Sequence, residues 1–214
     1  MQIDNVNVES ISNILKPVDV KKIYPSTNKI NDNIISTRDQ IRKILSGEDK
    51  RMLVIVGPCS IHDPKAALEY AQYLNRRIEK HKNEILILMR VYFEKPRTTI
   101  GWKGLINDPD LDNSFNIDKG LKLARQLLIE INSLNVPVAC EFLDVITPQY
   151  YSDLVSWGAI GARTTESQVH RQLASGLSMP IGFKNGTGGS LDIAVEAVQS
   201  SNFPHTFLGI DDLG

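Results

Sequence analysis

Cysteine is scarce in this chain. Only Cys59 and Cys140 occur in 214 residues. Two thiols make no disulfide framework, and the default environment is reducing and cytoplasmic. Excess charge of one sign is also missing, with 24 Lys and Arg against 25 Asp and Glu, a formal net charge of -1. That excludes an overall footprint for nucleic acid or for a membrane surface, so any cationic cluster is local and suited to a small anion. No apolar run reaches the ~20 residues of a membrane span. Met1-Gln2-Ile3-Asp4-Asn5 has no basic region followed by an apolar run, so it is not a signal peptide. No glycine-rich dinucleotide or Walker loop follows the first apolar run.

What is present is a repeated unit. At 42% apolar and 23% charged residues the composition is that of a globular protein with one sizeable core or two small ones. Residues 1–50 are polar and mixed. They predict a short helix at 10–15, an extended piece at 21–25, and a helix over 37–45 capped by Thr37 and closed by Gly47. This extension, 1–50, lacks a core of its own and is expected to pack on the main domain, 51–214, or on a neighbouring subunit.

From residue 52 the rhythm is apolar run, polar loop, helix. Buried strands are expected at 52–56, 85–90, 136–142, 157–162, 180–183 and 206–210. Helices are expected from Pro64 to about His81 with Asp63 as cap, over 118–133, from Pro148 with Thr147 as cap, to about Ser175, and over 190–200. Parallel strands covered by helices follow from that alternation, either a (β/α) barrel or an open doubly wound sheet. The loop from Ile100 to about Asn116 is longer than a connector needs to be.

The chemistry sits after the strands. Arg90 closes one apolar run and Lys95-Pro96-Arg97-Thr98-Thr99 follows, with proline fixing the backbone. Arg163-Thr164-Thr165 and Lys184 end later runs. Guanidinium, ammonium and hydroxyl groups in that position suit phosphate and carboxylate. The set carries more positive charge than one phosphate requires, which suggests phosphate plus carboxylate, or two phosphorylated substrates. Glu141 on a buried strand needs a reason, because an unpaired buried carboxylate is costly. Cys59 beside His62 reads as a metal ligand or nucleophile pair, or equally as a small apolar side chain with a histidine in local structure.

Four stretches resemble class I 3-deoxy-7-phosphoheptulonate (DAHP) synthases: Gly57-Pro58-Cys59-Ser60-Ile61-His62-Asp63, Arg90 through Gly104, Gly161 through Gln168, and Gly182-Phe183-Lys184-Asn185-Gly186-Thr187. The likeness runs from the N-terminal extension to about residue 208. It implies a (β/α)8 TIM-type barrel, here the first six βα units, and condensation of phosphoenolpyruvate with erythrose 4-phosphate at the entry to the shikimate pathway. It implies that Arg90, Ala162, Arg163 and Lys184 bind phosphoenolpyruvate, and that Lys95, Pro96, Arg97 and Thr98 bind erythrose 4-phosphate. Lys95, Glu141 and Lys184 are then the catalytic set, with Glu141 positioning the attacking water. Cys59 becomes one ligand of a divalent metal (Mn, Fe, Co or Zn). A feedback pocket for an aromatic amino acid is implied at Val145, Pro148, Gln149, Leu177, Ser178, Phe207 and Gly209, with tyrosine favoured over phenylalanine because Gly209 leaves room for a hydroxyl. A homo-oligomer joined through the N-terminal extension is expected. Family members continue past residue 214 into further strands, another arginine and the His, Glu and Asp of the metal site. The chain alone is therefore expected to be inactive, or to act as a module that keeps ligand binding or subunit pairing.

Overall fold

The computed structural model describes residues 3–214. Five parallel strands lie in the order β1-β2-β3-β4-β5: β1 Met52–Val56, β2 Ile85–Arg90, β3 Val138–Glu141, β4 Trp157–Ile160 and β5 Ile181–Phe183. Each strand pairs with its neighbour in sequence. A doubly wound sheet reverses its strand order at a switch point, and no reversal occurs here. The sheet is a curled partial barrel. Among the described residues, the outer edges of β1 and β5 have no strand partner.

Helices return the chain between strands, α3 Pro64–His81, α4 Ile117–Ser133, α5 Pro148–Tyr151 and α6 Gln168–Gly176, and α7 Asp192–Ser201 follows β5. Asp63 caps α3 as expected, its Oδ1 accepting from Lys65 N at 2.8 Å, with Pro64 in the first turn where its missing N–H costs nothing.

Strand parity separates two apolar layers. Ile87, Met89, Val91, Val138, Cys140, Phe142 and Ile160 face outward, into the core shared with the helices. Leu86, Leu88 and Ala139 face the barrel interior and pack with Leu53, Ile55 and Trp157. The floor of that interior is closed by Ile41 of α2, Asn28–Ser46, and Val20 of α1, Pro17–Ile23, enters the outer core with Ile30 and Ile34. The N-terminal segment therefore shares the hydrophobic core of the strands. Buried Arg125 binds it further, donating from Nε to Tyr24 O at 2.8 Å and pairing with Asp153 at 2.7 Å.

Several expectations are corrected. Residues 10–15 are not helical, and 21–23 are not extended. The helix begins instead at Pro17, which fits a first turn better than an end. Thr37 does not cap α2. Thr27 does, accepting from Ile30 N at 3.3 Å, and Thr37 lies mid-helix, its hydroxyl donating to Asn33 O at 2.8 Å. Gly47 closes α2 in the left-handed region. Thr147 makes no cap bond; Asp144 Oδ1 organises that turn by accepting from Ile146 N and Thr147 N. The sixth strand is absent. Residues 206–210 join no ladder, and the Phe207 ring lies against Gly176 of α6 instead of running beside β5.

Candidate active site

The ends of the strands build one cavity of about 280 Å³, lined by Cys59, Arg90, Glu94, Lys95, Pro96, Arg97, Glu141, Leu143, Gly161, Ala162, Arg163, Thr164 and Lys184. The parity of the strands explains how. Leu86 and Leu88 face the interior, so Arg90, Tyr92 and Glu94 leave the same extended stretch on the same side. Ala139 faces the interior, so Glu141 does too. The cations that the sequence spreads over three loops thus meet at one mouth.

Arg90 Nη2 donates to Cys59 O at 3.1 Å, while its Nε is buried without a partner. Gly57, at φ +151°, permits this approach, since a Cβ there would meet Arg90 O at 2.8 Å. Lys95 Nζ donates to Cys59 Sγ at 2.9 Å, and that ammonium holds the thiol below its ordinary range. Arg163 Nη2 donates to Thr98 Oγ1 at 3.3 Å, tying the β4 end to the β2 loop. Arg97 Nε donates to Trp102 O at 2.7 Å, which leaves its Nη groups for a ligand. Burial pushes Glu141 up, although Lys184, Arg90, Lys95 and Arg163 all pull it down. Its carboxylate lies over the bare backbone of Gly161.

Of the residues named from sequence, Cys59, Arg90, Lys95, Pro96, Arg97, Glu141, Ala162, Arg163 and Lys184 converge here, and Thr98 adjoins through Arg163. Thr99 is exposed. Thr165 is buried and serves structure, its single hydroxyl proton placed between Gly161 O at 2.9 Å and Lys184 O at 2.8 Å. His62 lines an apolar recess beside Ile61, Ala66 and Tyr70, away from the cations.

Sequence reasoning missed Glu94. It is 3% exposed and lines the cavity. Burial, with Asp144 nearby, pushes it up to about 7, against bonds accepted from Leu143 N, Asp144 N and Thr147 Oγ1. Its signal was alternation with Arg90.

No set of three or more His, Cys, Asp or Glu side chains is placed to hold a metal among the described residues. Cys59 is a single donor with Lys95 on its sulfur. His170 binds Ser167 and Leu143 O, and His205 binds Ser200 O. The described residues do not build a metal site.

A second cavity, about 520 Å³ and apolar, is lined by Val145, Ile146, Gln149, Val169, Leu173, Gly176, Leu177 and residues 207–210. It gathers Val145, Gln149, Leu177, Phe207 and Gly209 from the expected feedback set. Pro148 is buried and Ser178 turns toward α2, accepting from Arg42 at 3.1 Å, so neither lines it.

Residues 12–213 match the model of the DAHP synthetase I family. The chain is 56% identical over 213 residues to the Phe-sensitive phospho-2-dehydro-3-deoxyheptonate aldolase of Escherichia coli K12, covering 100% of this chain and 61% of the relative. It is 53% identical to the Trp-sensitive enzyme of Enterobacter agglomerans, covering 99% and 61%. The solved phospho-2-dehydro-3-deoxyheptonate aldolase of Francisella tularensis SCHU S4 superposes with a TM-score of 0.96 at 54% identity, covering 97% of this chain and 61% of that one. The chain thus spans about 61% of the length of these relatives. The chain belongs to the DAHP synthetase I family.

Proposed function

We propose that this chain carries the substrate site of a 3-deoxy-7-phosphoheptulonate synthase, which condenses phosphoenolpyruvate with erythrose 4-phosphate and releases phosphate at the entry to aromatic amino-acid biosynthesis. The observation that carries this reading is the convergence of Arg90, Lys95, Arg97, Arg163 and Lys184 with Glu141 on one cavity.

Arg90, Arg163 and Lys184 take the phosphate and carboxylate of phosphoenolpyruvate through charge-assisted bonds. Lys95, Pro96, Arg97 and Thr98 hold the phosphate of erythrose 4-phosphate, which sets its aldehyde near C3 of the first substrate. C3 attacks the aldehyde carbon as its C=O π bond breaks onto oxygen, which becomes a hydroxyl with a proton balanced by the one that water gives up, and positive charge accumulating toward C2 is met by that water. Glu141 orients that water and takes its proton. Its raised protonation range suits an acid–base group, and neighbouring cations keep the carboxylate accessible. Phosphate then leaves C2. Alignment of two bound substrates supplies much of the acceleration. The reading includes a divalent metal (Mn, Fe, Co or Zn) with Cys59 as one ligand. The described residues do not complete its site, so no step above depends on it.

The apolar cavity at Val145, Gln149, Leu177, Phe207 and Gly209 suits an aromatic amino acid, and Gly209 favours tyrosine over phenylalanine. Exposed Ile3, Val6, Val8, Ile11 and Ile14 support an inter-subunit arm within residues 1–50 and a homo-oligomer. No helix among the described residues is long and apolar enough to cross a membrane. A cytoplasmic location fits the biosynthetic role.

Calorimetry with phosphoenolpyruvate tests the site, and product assays test the reaction. Binding without turnover is the result expected of residues 1–214 alone. Robust turnover would overturn the proposed need for further residues, and absent binding would overturn the site.

A further inference from the structure

Arg90 and Tyr92 lie two residues apart on one extended stretch and leave it on the same side. The guanidinium carbon of Arg90 is 3.8 Å from the centroid of the Tyr92 ring. Tyr92 is 4% exposed, so water competes little for this contact. A cation over an aromatic face is strongest when both are desolvated. A guanidinium carries five N–H donors in one plane. The Tyr92 ring fixes that plane, and the single bond from Nη2 to Cys59 O fixes its rotation. Nε remains buried and without a partner.

We propose that Tyr92 is a positioning residue for anion binding, its ring rather than its hydroxyl holding Arg90 with free N–H edges toward a phosphate or carboxylate. The proposal rests on the reading of this cavity as an anion site. Burial pushes the Tyr92 hydroxyl up to about 12, so the side chain stays neutral beneath the cation. Glu141 also attracts Arg90. Without the ring, Arg90 turns toward that carboxylate, and both groups are lost to the ligand. Methionine fills similar space but offers no electron-rich face.

The test is calorimetry of the full chain with inorganic phosphate and with phosphoenolpyruvate, for wild type, Tyr92→Phe, Tyr92→Met, Arg90→Ala and the Tyr92→Met/Arg90→Ala pair. Circular dichroism checks folding, and Tyr92→Leu replaces Tyr92→Met if that variant does not fold. The expected result is affinity within about twofold for Tyr92→Phe and about tenfold weaker for Tyr92→Met, with no further loss on adding Tyr92→Met to Arg90→Ala. Equal losses in the Phe and Met variants would assign the effect to the hydroxyl and overturn the proposal. So would a loss from Tyr92→Met that persists without Arg90, because it would then be general packing. Wild-type affinity in Arg90→Ala would remove the anion-site reading as well. A loss in Arg90→Ala with none in Tyr92→Met would remove this inference alone.

Discussion

The carboxylate of Glu141 lies on the bare α-carbon of Gly161, with Oε1 occupying the place where a side chain at 161 would begin. These residues belong to adjacent strand ends, and a side chain cannot be added at 161 without moving Glu141. Gly161→Ala is therefore expected to displace Glu141. In a full-length enzyme carrying this segment, turnover should fall by about tenfold or more, and overpacking should cost about 1–3 kcal/mol. Steady-state kinetics beside thermal unfolding checks this. Unchanged turnover would mean that Glu141 does not orient the water.

Arg163→Ala and Lys184→Met should each weaken phosphoenolpyruvate by about 10- to 100-fold, the scale of one lost charged hydrogen bond. Arg51→Ala is the control. Arg51 pairs with Asp49 away from the cavity, and its loss should leave affinity unchanged. Equal effects in all three would point to net charge instead of the site.

Glu94 gives a pH signature. An ordinary glutamate ionises near 4.5, and Glu94 is raised to about 7. Between those values the unfolded chain has lost its proton while the folded chain retains it. Stability should therefore fall as pH rises through that window, and the penalty should be complete above about 7. Its size is about 3 kcal/mol. Glu94→Gln should flatten the profile and be the more stable form at pH 8, but not at pH 4.5. Denaturant unfolding across pH reads both, and parallel profiles would refute the assignment.

Phe207 forms part of the apolar cavity and abuts Gly176. Phe207→Ala should weaken binding of an aromatic amino acid by about tenfold, given the ~1 kcal/mol of a ring contact plus lost burial. Affinity for inorganic phosphate should not change. Titration of wild type with tyrosine and phenylalanine tests the preference, and tighter phenylalanine binding would reverse it.

Arg125 joins the N-terminal helices to the barrel through Tyr24 O, Tyr150 O and Asp153. Arg125→Ala strands those acceptors and should cost about 3–5 kcal/mol. Chemical unfolding measures it. A cost below about 1 kcal/mol would show that apolar packing and the polar contacts of α1 with Asp212 hold the segment without Arg125.

Much of this was legible in the sequence for a physical reason. Apolar runs such as 52–56 and 85–90 have the length and continuity of covered strands, and cations at the ends of parallel strands meet where those strands point together. Parallel strands with the cations of Arg90, Arg163 and Lys184 at their ends were readable that way, whereas the choice of a barrel over a doubly wound sheet rested on the family resemblance and on the strand order seen in the structure. The N-terminal region was not, because its helices are set by tertiary contacts: Ile41 closes the barrel floor, and Val20 reaches the outer core. Residues 206–210 carry strand-like composition, yet a strand exists only where its backbone finds a ladder. Glu94 was overlooked because its neighbours Lys95 and Arg97 drew the reading toward the loop, whereas its burial comes from the β3 loop folding over it.

The shared side of Arg90, Tyr92 and Glu94 has an evolutionary corollary. Adding or deleting one residue between 90 and 94 would invert the parity of whatever follows, sending Val91 or Phe93 into the cationic mouth and a polar group among the helices. Substitutions can be absorbed one at a time in this pentapeptide, but a change in its length cannot, so length variation in related chains should gather in the 100–116 loop and spare this stretch.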